Sequence, residues 1–92
     1  MIVPFEASHH IMLKEVYEMK LNNCELGKLY TVTSVTAVGS LKYKFFNFGI
    51  VEGAKIVPFM KSPFGGIGSY RVGGTLVAIR DEDACGVEVA EV

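Results

Sequence analysis

The side chains best able to do chemistry in this 92-residue chain are few, and their spacing suits chemistry poorly. His9 and His10 are the obvious metal candidates. Adjacent histidines on a helix point about a third of a turn apart, whereas metal-binding pairs favour a spacing of four. Glu6 or Cys24 would complete a conceivable ligand set; a solvated tail with incidental affinity is the other reading. Cys24 and Cys85 are the two cysteines. The start Met1-Ile2-Val3-Pro4-Phe5-Glu6 lacks the positive region of a signal peptide, so reduced thiols are expected and no bridge. Cys24 reads as a core residue, and Cys85, between Asp81, Asp83 and Glu88, as an inert, partly exposed thiol. Gly65-Gly66-Ile67-Gly68 invites a phosphate-loop reading, but no Lys-Ser/Thr follows it and it opens no helix, so a bare turn is expected. The carboxylates cluster at turns, and no Ser/His/Asp or Cys/His set forms. The chain is therefore expected to be no enzyme and to carry no cofactor, with weak transition-metal binding at His9 and His10 as the one exception to test.

Composition sets the wider limits. Half of the residues are apolar and 21% are charged, which is the balance of a folded domain, and the length suits only one. Nine Lys and Arg against ten Asp and Glu, with no basic stripe, argue against a nucleic-acid partner. No apolar run approaches the ~20 residues that cross a bilayer, so no direct membrane insertion is expected. A cytoplasmic protein follows as the expectation. The ten glycines favour short strands and tight turns.

The elements that must position these residues follow from periodicity. Ser8 can cap a helix carrying Met12, Val16 and Met19, although Ile11 to Tyr17 also fits an edge strand. From Leu29 to Val35 the period is two and β-branched residues dominate, which predicts a strand with Tyr30 and Val32 on one face. Gly39-Ser40 reads as a break. Lys42 to Asn47 then reads as a helical turn with Leu41, Phe45 and Phe48 on one side and Gly49 ending it in a left-handed conformation. Ala54 to Lys61 is a strand in which Ile56, Pro58 and Met60 alternate against Val57 and Phe59; Pro58 demands an edge or a bulge. Two further strands, Ser69 to Val72 and Thr75 to Ile79, flank the hairpin signal Gly73-Gly74. Asp81 to Ala84 reads as one helical turn capped by Asp81, and Val87 and Val89 as a last strand. Five short strands and little helix predict a mainly β fold, a small closed barrel with one or two short helices and an N-terminal extension.

On particular residues the chain resembles the FeoA family, small cytosolic partners of the ferrous-iron permease FeoB. Leu21, Cys24 and Gly27 stand where that family has L-x-x-L-x-x-G. Lys44-Phe45-Phe46-Asn47-Phe48-Gly49-Ile50-Val51-Glu52-Gly53 keeps the spacing of R-L-x-D-L-G-h-x-x-G, with Lys for Arg and Asn for Asp. Pro63-Phe64-Gly65 matches the first half of P-x-G-D-P, with Gly66 and Ile67 in place of the acid and second proline. Gly74, Ala78, Ile79, Arg80, Ala84, Val87 and Val89 fit the closing pattern without a gap. The likeness covers Leu21 to about Val89, and it implies an SH3-like barrel over residues 21–92 after an extension of residues 1–20. It also implies an accessory role in ferrous-iron transport by docking on the cytosolic part of a FeoB-type permease. A regulatory SH3-like module of an iron-responsive transcription regulator and a weak metal carrier are the alternatives.

Lys44, Asn47 and Phe48, with Pro63, Phe64 and Gly65, are the expected partner-binding residues. Replacing an Arg–Asp clamp by Lys44 and Asn47 loses bidentate geometry. The aromatic surplus supplies an apolar patch: Phe45 and Phe46 are adjacent and point apart, and Phe64 sits on a turn. The same surplus is compatible with a homodimer.

Overall fold

The structure, a computed structural model, describes residues 18–92. Its strands are β1 (Met19–Lys20), β2 (Tyr30–Val35), β3 (Lys55–Lys61), β4 (Ile67–Val72), β5 (Thr75–Arg80) and β6 (Val87–Glu91). A 3-10 turn (Leu21–Asn23), helix α1 (Gly39–Asn47) and the single turn α2 (Asp81–Ala84) interrupt them. The strands form one antiparallel sheet in the order β1-β6-β2-β3-β4-β5. The sequence predicts Met19 on a helix; it lies on β1, and the rest of that predicted helix is outside the described residues, as are His9 and His10.

Alternation sends one side of every strand inward. Tyr30 and Val32 of β2, Ile56 and Pro58 of β3, Tyr70 and Val72 of β4, and Val87 and Val89 of β6 are buried. This is the periodicity of two read from the sequence. Helix α1 closes one end by burying Phe45, with Leu41 and Phe48 packed beside it. It begins at Gly39, which composition marks as a break. Its end is a Schellman arrangement: the Gly49 N–H donates to the Phe46 carbonyl at 3.0 Å and the Ile50 N–H to the Phe45 carbonyl at 2.9 Å. Gly49 adopts φ +85°, and Ile50 and Phe45 are both buried, which completes the motif.

Of the two accommodations that Pro58 allows, an edge or a bulge, the structure shows the bulge: β3 lies between β2 and β4, and the register slips between Pro58 and Met60. The Pro58 main chain points away from β4, and its carbonyl accepts the Gly27 N–H at 2.7 Å. The ladder therefore loses no donor. The slip also reverses the alternation, so Met60 is exposed and pairs with the outward Ser69, while Lys61 turns inward opposite Gly68. The cap of α2 also needs correction. Its N-cap is Arg80, with no side-chain cap bond, and Asp81 is the first helical residue.

Lys61 joins the two ends of the sheet. Its Nζ donates to the Asn22 carbonyl at 2.9 Å, on the turn after β1, and lies 3.5 Å from Asp81 Oδ1, on the turn after β5. The 3-10 turn packs on α2 at this seam, with Leu21 and Ala84 fully buried. Both charged side chains remain about one-third exposed, at 32% and 36%, which discounts the ion pair. Lys61→Met is expected to lower the unfolding free energy by about 1 kcal/mol, or ~5 °C in melting temperature, with Asp81→Asn costing less. Urea and thermal unfolding measure this; unchanged stability in Lys61→Met would remove the seam contact from the account.

Candidate docking groove and turn

Helix α1 and strand β5 face each other across a groove of about 180 Å³. Leu41, Lys44, Phe45 and Phe48 form the helical wall, and Ala78, Ile79 and Arg80 form the strand wall. Ile67 and Asp83 close one end. The floor is apolar because Phe45 and Ile79 are core residues, and Lys44 and Arg80 put cations on opposite walls. Of the expected partner-binding residues, Lys44 and Phe48 therefore meet in one concavity. Asn47 is exposed on the same helix but does not line it.

Pro63, Phe64 and Gly65 sit on the turn between β3 and β4, which runs into the groove through Ile67. The Gly65 N–H donates to the Ser62 carbonyl at 2.9 Å and the Ser62 N–H to the Ile67 carbonyl at 2.9 Å. Gly65 and Gly66 take φ +81° and +89°, which permits this double reversal. Phe64, at the tip, is 97% exposed. A second concavity of about 350 Å³ lies on the other flank of α1, where Val35, Lys42, Phe46 and Val51 meet. Phe45 and Phe46 do point apart, one buried and one 65% exposed.

The seam around Lys61 gathers the interior polar groups. Cys24 is buried, and its thiol pKa is pushed up from the ordinary 9.0 to about 11, chiefly by burial, with Tyr30 and Lys61 pulling the other way. Tyr70 is pushed up to about 12 by burial, with the negative charges of Asp81 and Cys24 adding to it. The Tyr70 ring folds over Gly68, where a Cβ would stand 2.8 Å from its hydroxyl. At neutral pH both groups hold their protons, so neither supplies a nucleophile or a base. Cys85 is exposed, and its Sγ donates to the Glu82 carbonyl at 2.9 Å; both thiols are free, as expected. Among the described residues no three His, Cys, Asp or Glu side chains gather as metal ligands do. No helix among them is long and apolar enough to cross a membrane.

Residues 19–91 match the model of the FeoA domain. The chain belongs to the FeoA domain family. It is similar to the solution structure of the FeoA protein from Chlorobium tepidum at 30% identity and a TM-score of 0.76, over 80% of this chain and 70% of that one. A zinc complex of Stenotrophomonas maltophilia FeoA, described as a procaryotic SH3 domain protein, gives 27% identity and a TM-score of 0.69, over 77% and 88% of the two chains. A manganese-dependent transcriptional repressor shares the fold at 20% identity and a TM-score of 0.74, over 82% of this chain and 42% of that one. No curated protein matches the chain. This FeoA domain is thus an SH3-like barrel, as the resemblance implies.

Sequence reasoning passes over Lys61 and does not bring the Ala78–Arg80 wall to a site. A lysine ending an apolar strand, Ile56 to Lys61, is the one available signal for the first; the second depends on where α1 comes to rest.

The raised pKa values fix a pH dependence. Protons held more tightly in the folded than in the unfolded chain stabilise the fold fully below the unfolded pKa, and this is lost as pH rises through the folded one. The Cys24 contribution is lost between pH 9 and about 11, and that of Tyr70 between pH 10 and about 12. Urea midpoints should hold up to pH ~8.5 and then fall, and Cys24→Ser should fall less steeply than the parent between pH 9 and 11. Equal slopes for the two would contradict the burial of a protonated thiol.

Proposed function

We propose that this FeoA domain is a non-enzymatic accessory module of ferrous-iron transport that docks on the cytosolic part of a FeoB-type permease. Family membership supports the transport role, and the observation that carries the docking is Phe64. A phenylalanine held almost wholly in water at the tip of a hydrogen-bonded, two-glycine turn is costly to keep there and is ready to be buried. Lys44, Asn47 and Phe48 on α1 and Pro63 and Gly65 beside Phe64 complete the contact, with the α1–β5 groove between them. The module acts on the cytoplasmic side by surface burial, with no chemistry of its own.

The test is affinity for the purified cytosolic portion of the permease. Burying Phe64 contributes about 1.5–3 kcal/mol, so Phe64→Ser should weaken binding about ten- to a hundredfold. Its unfolding free energy should stay within about 0.5 kcal/mol of the parent, because the side chain touches no core. Unchanged affinity would remove Phe64 from the docking face.

A further inference from the structure

Helix α1 has two flanks, and the docking groove uses only one of them. The other flank holds the concavity of about 350 Å³, which has room for a phenyl ring. Lys42 and Phe46, one turn apart on α1, form its helical wall. Val51 and Glu52, in the loop before β3, form the second wall, and Val35 and the buried Ile50 complete the lining. Both walls are held in place. The Schellman arrangement fixes the end of α1. The loop is tied to β2, because the Gly53 N–H donates to the Val32 carbonyl and the Val32 N–H to the Ala54 carbonyl, each at 2.8 Å.

Phe46 stands beside this recess and projects into water, since its neighbour Phe45 takes the inward direction. Tyr43, one turn earlier, continues the same apolar strip and is 68% exposed. At ~200 Å² for each aromatic side chain, the exposed parts of Tyr43 and Phe46 with Val51 come to roughly 300 Å². An apolar patch of that scale marks an interaction site. A projecting ring next to a recess that admits one is a self-complementary face. About a two-fold axis, Phe46 of each copy enters the concavity of the other, and the two rings meet offset.

Charge selects the occupant. Lys42 is the one cation and Glu52 the one anion among the lining residues, and they stand on opposite walls. Among the described residues neither forms an ion pair, and α1 carries no acid to answer Lys42. A rim with one charge of each sign gives no preference for an anionic bilayer or for a basic segment. It matches a surface carrying the same two charges in reverse order, which is its own copy. The two-fold axis that inserts Phe46 also brings Lys42 of each copy to Glu52 of the partner subunit.

We propose that this flank of α1 is a homodimer contact, with Phe46 of each copy filling the concavity of the other and Lys42 paired to Glu52 of the partner subunit. None of these residues lines the α1–β5 groove, so the contact is independent of permease docking. A standard interface buries ~800 Å² per partner, and this apolar centre suits one at the small end, so association is weak and concentration-dependent. Sedimentation velocity of the full-length protein from low to high micromolar concentration tests it. The parent should show a monomer–dimer equilibrium, and Phe46→Ser should shift it to monomer. Lys42→Glu and Glu52→Lys each set like charges opposite one another and should weaken dimerisation about tenfold or more, whereas the double variant should restore it. All three positions are exposed, so circular dichroism should show every variant folded like the parent. A parent that is monomeric at every concentration would overturn the proposal. So would a dimer indifferent to Phe46→Ser, or a double variant that dimerises no better than the single ones.

Discussion

Lys61 leaves the end of β3 and reaches two places that no strand ladder connects: the Asn22 carbonyl after β1 and the Asp81 carboxylate after β5. The two ends of the sheet meet there through a buried leucine, a buried alanine and this one ammonium group. Lys61 can reach inward only because the bulge at Phe59 shifts the pleat by one residue. Without that slip the strand would place its charge outside and Met60 at the seam. The rest of the barrel follows from this closure, since a short sheet must cover its inner face or expose the core that holds it together.

Closing the barrel with a turn and a helix, and not with a sixth ladder, has a consequence for function. It leaves the outer side of β5 available and sets α1 opposite it, so the groove is a by-product of how the sheet ends. Lys44 and Phe48 arrive in the groove because the Schellman arrangement at Gly49 fixes where α1 stops. Phe64 arrives at a tip because two glycines reverse the chain twice. The family's fold supplies the frame, and the exposed side chains decide what it binds.

Much of the frame is legible in the amino-acid sequence. Period-two alternation places Tyr30, Val32, Val87 and Val89 inside, and Gly49 and Gly73-Gly74 mark their turns, because each depends on local rules that a sequence states directly. Pro58 announces a bulge, but not which residue after it reverses direction, so alternation alone puts Met60 inside. Local pattern likewise makes Asp81 the cap of α2, where a distant Lys61 claims it. Strand β1 is too short to show any period and exists only because β6 lies beside it. The groove is hidden for the same reason: its walls are 34 residues apart from Lys44 to Ala78, and no local pattern joins them.

The central claim is that one face, the β3–β4 turn together with the groove beside it, is where this FeoA domain meets its partner. Amide chemical-shift mapping of the labelled protein during titration with the cytosolic portion of a FeoB-type permease measures that face directly. The account predicts the largest changes at Phe64 to Ile67, at Lys44 and Phe48, and along Ala78 to Arg80, with β2 and β6 nearly silent. A footprint centred on β2 and β6, or on Phe46 and Val51 across the other flank of α1, would contradict it.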